Sequence, residues 1–131
     1  MSQQRAAGRR TAALASETAR ERLTLHQAEV RSRIAAMERE YRTVVEANAL
    51  VAVDDEHDPE GSSTAFERAH LAALLERGRQ DLEQLNEAMR RVEDGSYGRC
   101  EACRAPIPAE RLEIRPAATH CVACAGAAPG P

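Results

Sequence analysis

The sequence lacks features that several classes of protein require. Its only aromatic residues are Phe66, Tyr41 and Tyr97, and it contains no tryptophan. A compact domain of 131 residues usually buries several large aromatic rings, so this composition argues against a thick globular core. No apolar run approaches the roughly 18 residues that are needed to span a bilayer. We therefore expect neither a thick-cored globule nor a membrane protein.

Two further absences are those of an apolar N-terminal stretch and of cysteine over most of the chain. The first residues, MSQQRAAGRR, contain no apolar stretch of the kind found in a secretory signal. We therefore expect a cytoplasmic protein, in which thiols stay reduced. Cysteine is also missing from the first 99 residues, and all four cysteines lie in the last quarter of the chain.

What the sequence does contain is typical of long helices, because it is rich in alanine, leucine, arginine and glutamate. Apolar residues recur every three or four positions in two stretches, which is a heptad pattern. The first stretch is Leu23, Val30, Ile34, Met37, Tyr41 and Val44, with Gln27 at one seam position. The second is Leu71, Leu74, Gly78, Leu82, Leu85, Met89 and Val92, with a stutter at 74–78–82. We also expect Leu25 to pack.

The break between the two helices is the acidic segment DDEHDPEGSSTAFE. Pro59 and Gly61 interrupt a helix, and Thr64 with Glu67 has the spacing of a capping box that starts the next one. The sequence EDG at Glu93–Gly95 predicts where that helix stops. The predicted fold is therefore all-α, a long antiparallel coiled-coil hairpin followed by a small C-terminal finger.

These signals divide the chain into four predicted segments. They are a disordered basic arm over 1–10, the coiled-coil hairpin over 11–94 with its acidic tip at about 51–62, a finger over 95–125, and a flexible tail over 126–131.

The four cysteines form two C-x-x-C pairs, separated by seventeen residues: Cys100, Cys103, Cys121 and Cys124. Two disulfides would fit this spacing too, but in a reducing compartment paired C-x-x-C more often indicates a metal. Four thiolates match a structural tetrahedral Zn²⁺ site, so we expect one zinc per chain. Gly98 permits a tight turn before the first pair. We expect Ile107, Leu112 and Ile114 to form a small core.

Catalysis and redox chemistry are the rival interpretations of the cysteines. A catalytic zinc keeps one coordination position open, and four cysteines leave none. Thioredoxin-type chemistry uses a single C-x-x-C in a βαβ setting, and the sequence has no strand pattern. His120 adjoins Cys121 and is an alternative ligand. We predict a protein that is not an enzyme.

The finger also carries E-D-x-x-Y-G-x-C, R-L-E and R-P-x-A motifs, and over about 91–124 it resembles the DksA/TraR-type bacterial transcription factors. The resemblance implies a protein that binds RNA polymerase directly and inserts its coiled coil into the secondary channel. It further implies that a D-x-x-D pair at the tip acts there, which falls on Asp55 and Asp58.

The same resemblance bears on guanosine tetraphosphate. Of the basic positions that the family uses, Arg115 is retained, whereas the others fall on Gln84 and Ala125. A polyphosphate needs several cationic groups, so we expect little response to this alarmone, with Arg115 a possible contact to an anion or to polymerase.

Two other functions remain open. One is a zinc-stapled coiled-coil adaptor or scaffold that does not act on polymerase. The other is sequence-specific DNA binding, which we do not expect because the finger offers only four arginines against three glutamates.

Overall fold

The structure, a computed structural model, describes residues 2–51 and 59–127. Its helices are α1 (Ser2–Val51), α2 (Pro59–Asp94), α3 (Ala109–Ile114) and α4 (Val122–Ala127). Over these residues the only extended pairing is one antiparallel bridge between Arg99 and Pro106. The predicted all-α class is confirmed. None of the described helices is long and apolar enough to cross a bilayer.

The chain forms two compact units, and α1 and α2 pack against each other in both of them. In the unit of residues 28–83, Gly78 on α2 lies against Ile34, and the Arg79 guanidinium is 3.6 Å from the Glu38 carboxylate. Farther along α1, Tyr41 lines a cavity with Leu75, which precedes Gly78. Contacts that advance along α1 therefore move backwards along α2, and the helices are antiparallel.

The second unit combines residues up to Gln27 with those from Gln84 onward. Its apolar contacts come from Ala19, Leu23, Leu85, Ala88 and Val92, all of which are buried. One polar pair lies among them, because the Gln27 amide donates a hydrogen bond of 2.8 Å to Asn86 Oδ1. That bond satisfies two partly buried amides that would otherwise lose their contacts with water.

The α2 seam differs in one place from the predicted seam. Leu75 is buried at 5% exposure, whereas Leu74 is 38% exposed. With Leu75 in the seam, the steps from Leu71 through Gly78 alternate between four and three residues, so the predicted stutter is absent. The expectation that Leu25 packs is also wrong, since its side chain is 72% exposed.

Both long helices begin earlier than the sequence predicts. Helix α1 begins at Ser2 and so includes residues for which the sequence predicts a disordered arm. Glutamine, arginine and alanine in that segment are good helix formers, which is consistent with its helical backbone. Helix α2 begins at Pro59 instead of at a cap on Thr64. Proline is favoured in the first turn of a helix, because its missing N–H has no partner there in any case.

The end of α2 is where the EDG sequence predicts it. Gly95 has a φ of +83°, and its N–H donates to the Val92 carbonyl while the Ser96 N–H donates to the Arg91 carbonyl. This pair of bonds is a Schellman motif, in which a left-handed glycine closes the helix. The Asp94 carboxylate accepts bonds from the hydroxyl and N–H of Ser96, and these bonds lower the pKa of Asp94.

The central part of the predicted acidic tip, 52–58, lies outside the described residues, and with it Asp55 and Asp58. Of the predicted tail, Gly126 and Ala127 belong to α4, and 128–131 lie outside the described residues.

Candidate metal centre in the C-terminal finger

The first cysteine pair lies on a tight hairpin between Gly98 and Ile107. The Ile107 N–H donates to the Gly98 carbonyl at 2.7 Å, and the Cys100 N–H donates to the Ala105 carbonyl at 2.9 Å. The hairpin needs left-handed backbone at two positions, Gly98 with φ +84° and Arg104 with φ +65°. Glycine adopts this conformation freely, as predicted for Gly98, whereas an arginine does so at a cost.

The second cysteine pair lies at the start of α4. Cys121 immediately precedes the helix, and its carbonyl accepts a bond of 2.9 Å from the Ala125 N–H. Cys124 lies three residues farther on, in the helix itself. The Glu101 N–H donates to the Thr119 carbonyl at 2.8 Å and so joins the two cysteine segments.

The structure brings the four predicted ligands together. Their Sγ atoms all lie within 4.8 Å of one another, and Cys103 Sγ is 3.8 Å from Cys121 Sγ. A regular tetrahedron with Zn–S bonds of about 2.3 Å has sulfurs roughly 3.8 Å apart, so this cluster has the dimensions of a zinc site. All four positions would be filled by protein ligands. The site therefore fits one structural zinc, which supplies folding free energy when bound.

Electrostatics at the cluster also favour a cation. Backbone N–H groups of Cys103 and Cys121 point to the Cys100 sulfur and lower the pKa of this thiol to about 6. Hydrogen bonding with the sulfurs of Cys121, Cys100 and Cys103 raises the pKa of Cys124 to about 12. Cys124 therefore keeps its proton when no cation is bound, because four thiolates this close would repel one another. A divalent cation at their centre removes that repulsion and displaces the proton.

The small core of the finger is only partly the predicted one. Ile107 and Leu112 are buried together with Cys100, which is fully buried. Ile114 is not part of this core, since it ends α3 and is 80% exposed. Tyr97 and Ala118 pack against the core instead. The prediction for Ile114 fails because α3 is a short helix that turns only one face, that of Leu112, to the metal centre.

A set of hydrogen bonds holds the segment 116–120, which leads into Cys121. The Tyr97 hydroxyl donates to the Pro116 carbonyl at 2.7 Å, and Arg111 Nε donates to the His120 carbonyl at 2.9 Å. From the end of α2, the Arg91 guanidinium reaches the Ala117 carbonyl at 3.4 Å. Burial of the Tyr97 ring raises the pKa of its hydroxyl, which therefore stays a donor at neutral pH.

Sequence reasoning assigned no structural role to the side chains of Arg91, Tyr97 and Arg111. The available signal was that Tyr97 and Arg111 belong to the Y-G-x-C and R-L-E motifs.

His120 and Arg115 are the other residues of the finger for which the sequence predicts a possible role. His120 is beside Cys121, but its Nδ1 is 2.8 Å from Thr119 Oγ1, and the ligand cluster consists of the four cysteines. Arg115 lies at the C-terminal end of α3 with an exposed side chain. Gln84 and Ala125 are also exposed.

This arrangement matches a known family. Residues 95–129 match the model of the prokaryotic dksA/traR C4-type zinc finger. The chain carries a zinc finger of the DksA/TraR family. The structural zinc and its four cysteine ligands belong to that finger type, and the predicted resemblance is confirmed.

Individual relatives match longer stretches of the chain than the finger model does. A protein of Caulobacter vibrioides called RNA polymerase-binding transcription factor DksA is 44% identical over 61 residues, which cover 47% of this chain and 43% of that protein. The Escherichia coli K12 protein of the same name is 37% identical over 49 residues, covering 37% of this chain and 32% of that protein. The chain thus spans less than half the length of these curated relatives.

A solved structure also resembles most of this chain. Transcription factor DksA2 from Pseudomonas aeruginosa superimposes with a TM-score of 0.72 at 27% identity, covering 86% of this chain and 81% of that one. The antiparallel helix pair with a small C-terminal finger is therefore a DksA-type fold. These relatives are named as transcription factors, and a metal with four cysteine ligands has no open position, so both observations agree with a non-enzymatic protein.

Proposed function

We propose that this protein regulates transcription by binding RNA polymerase directly. The observation that carries the proposal is an antiparallel helix pair followed by a four-cysteine cluster of zinc dimensions, in a chain that superimposes on DksA2. Two relatives that match part of the chain are named as RNA polymerase-binding factors. Such a partner places the protein in the cytoplasm.

In the proposed mechanism, the helix pair enters the secondary channel of polymerase and the finger stays at its rim. The connection between α1 and α2 then enters the channel first, and it carries Asp55 and Asp58. Carboxylates delivered near a Mg²⁺-dependent centre perturb the metal, or compete for mobile basic elements around it. The acids of the tip would thereby modulate initiation.

The finger has a supporting role in this mechanism. Its four arginines and three glutamates leave little net charge for binding DNA, so we propose no sequence-specific DNA contact. Arg115 is exposed and available to an anion or to polymerase. Because Gln84 and Ala125 carry no charge, we propose that guanosine tetraphosphate adds little to the effect of the protein.

Binding to purified cognate RNA polymerase tests the proposal. We expect saturable binding that a second secondary-channel factor displaces, and a changed lifetime of promoter complexes. If the zinc-loaded protein binds no polymerase subunit, the adaptor or scaffold function replaces this one.

The tip is tested separately from binding. In the double variant Asp55→Asn, Asp58→Asn, two charges are lost while size and polarity are kept. Exposed loop acids contribute little affinity, so binding should stay within a few-fold while most of the effect on initiation disappears. The matched control is Asp54→Asn with Glu60→Gln, which should act like the parent. If the Asp55→Asn, Asp58→Asn variant is as active as the parent, the protein acts instead by blocking the channel with its helices.

A further inference from the structure

Helix α2 has a second apolar stripe in addition to the seam it shares with α1. Phe66, Ala69 and Ala73 follow one another at i, i+3 and i+7, and all three are exposed. The seam residues Leu71 and Leu75 lie about 140–180° around the helix from Phe66, because each residue advances by about 100°. The second stripe thus points away from α1.

Phe66 is the large apolar residue of this stripe, and its exposure indicates a binding partner. It is the only phenylalanine of the chain, and its side chain is 78% exposed. Isolated exposed apolar residues are common on protein surfaces. An aromatic ring at the head of an i, i+3, i+7 stripe is instead the pattern by which a helix anchors in a groove of another protein. The neighbours of the ring on this face are the two small alanines and the exposed His70, one turn farther on.

The position of Phe66 near the start of α2 indicates that its partner is the protein that receives the connection between α1 and α2. Helix α2 begins at Pro59, and seven residues of helix advance about 10 Å, so Phe66 is within two turns of that beginning. A channel that receives the connection between α1 and α2 must also enclose this part of α2, including the face turned away from α1.

We infer that Phe66 is an anchor residue through which α2 binds an apolar groove of RNA polymerase. The inference rests on the proposed function and adds to it a specific contact that is separate from the acidic tip. In this division of roles, Phe66 contributes affinity and the tip acids contribute the effect on initiation. Aromatic residues that become fully desolvated are the usual hot spots of protein interfaces.

The test measures binding of purified cognate RNA polymerase by the zinc-loaded full chain. Phe66→Ala should weaken binding about tenfold or more, and Phe66→Leu, which keeps an apolar side chain, should weaken it less than threefold. The matched control is Leu25→Ala. Leu25 is 72% exposed on α1, belongs to no such stripe, and should tolerate the change within twofold. All variants should keep the parent's helix content, since both side chains are exposed.

Each result decides the matter. If the parent binds and Phe66→Ala binds within twofold of it, the inference is wrong while the proposed function stands. If the parent itself does not bind, both fail. Sedimentation gives a third outcome: a self-associated parent that Phe66→Ala converts to monomer would assign the stripe to a second copy of this chain and overturn the inference.

Discussion

The finger and the helix pair are ordered by different means. In the finger, the buried cluster consists of Cys100, Ile107 and Leu112, and four sulfurs meet within 4.8 Å. The helix pair instead buries apolar side chains at intervals along α1 and α2, from Leu23 to Val44 and from Leu71 to Val92. Structural zinc contributes roughly 10–16 kcal/mol in finger peptides, whereas one buried aliphatic side chain contributes about 1.5–3 kcal/mol. Losing one ligand should therefore abolish the finger, and losing one seam residue should only weaken the helices.

The largest effect is expected from Cys100→Ser, which removes a fully buried zinc ligand. The finger should lose its zinc and its order, while most of the helical signal in circular dichroism remains. Metal analysis should fall from one zinc per chain to well below one. Ala102→Ser, an exposed change inside the same C-x-x-C pair, should keep the full zinc content. A Cys100→Ser protein with one tightly bound zinc would contradict the assignment.

Next in size is Gly78→Leu, which tests the helix pair alone. A Cβ at Gly78 would lie 3.0 Å from Ile34 Cγ1 and 3.3 Å from Met37 Cε, so a larger side chain forces the helices apart. We expect a loss of about 2 kcal/mol in the free energy of unfolding, measured by thermal or urea denaturation. Zinc content should not change.

The control for this change is Gln80→Leu, at an exposed position two residues farther along α2. It should leave stability within about 0.5 kcal/mol of the parent. Equal or higher stability of Gly78→Leu would show that the helices do not approach closely at this point.

A smaller effect is expected from Tyr97→Phe, which removes the donor to the buried Pro116 carbonyl. An unsatisfied buried acceptor costs about 1–1.5 kcal/mol, which corresponds to roughly tenfold in zinc affinity when folding and binding are coupled. Competition with a chelator measures this change. Tyr41→Phe, in the helix pair, should leave zinc affinity as it is. If Tyr97→Phe binds zinc as tightly as the parent, the hydrogen bond does not support the metal centre.

The smallest effect, and the only gain, is expected from Arg104→Gly. The φ of +65° at Arg104 suits glycine, but glycine also increases the entropy of the unfolded chain. The two terms oppose each other, and we expect a net stabilisation of the finger of at most about 1 kcal/mol, seen as slightly tighter zinc binding. Arg99→Gly, outside the left-handed region, should weaken the finger instead. Weaker zinc binding by Arg104→Gly would mean that the arginine side chain itself contributes.

The same contrast explains how much of the fold was predictable. The metal ligands follow from spacing alone, because two C-x-x-C pairs leave few other arrangements in a reducing compartment. The stop of α2 also follows from local chemistry at Gly95. The choice between Leu74 and Leu75 does not, because both are leucines in adjacent positions and the neighbouring helix decides which one it covers.

The remaining errors have a similar origin. Ile114 looks like a core residue by composition, and only the direction of the short helix α3 places it in solvent. The residues after Ser2 and Pro59 can form helix. The sequence also contains a basic arm and a capping box at Thr64, and these suggested later starts for α1 and α2. The hydrogen bonds from Arg91, Tyr97 and Arg111 go to backbone carbonyls, so the motifs mark two of the donors while nothing in the sequence marks the acceptors.

The bond between Gln27 and Asn86 has a consequence for the choice between alternative pairings. Leucine, valine and alanine pack almost equally well if one helix slides past the other by a turn or more. An amide does not, because sliding would leave both Gln27 and Asn86 opposite side chains that cannot complete their hydrogen bonds. A weak polar contact among apolar neighbours thereby selects one alignment of the two helices where they meet beside the finger.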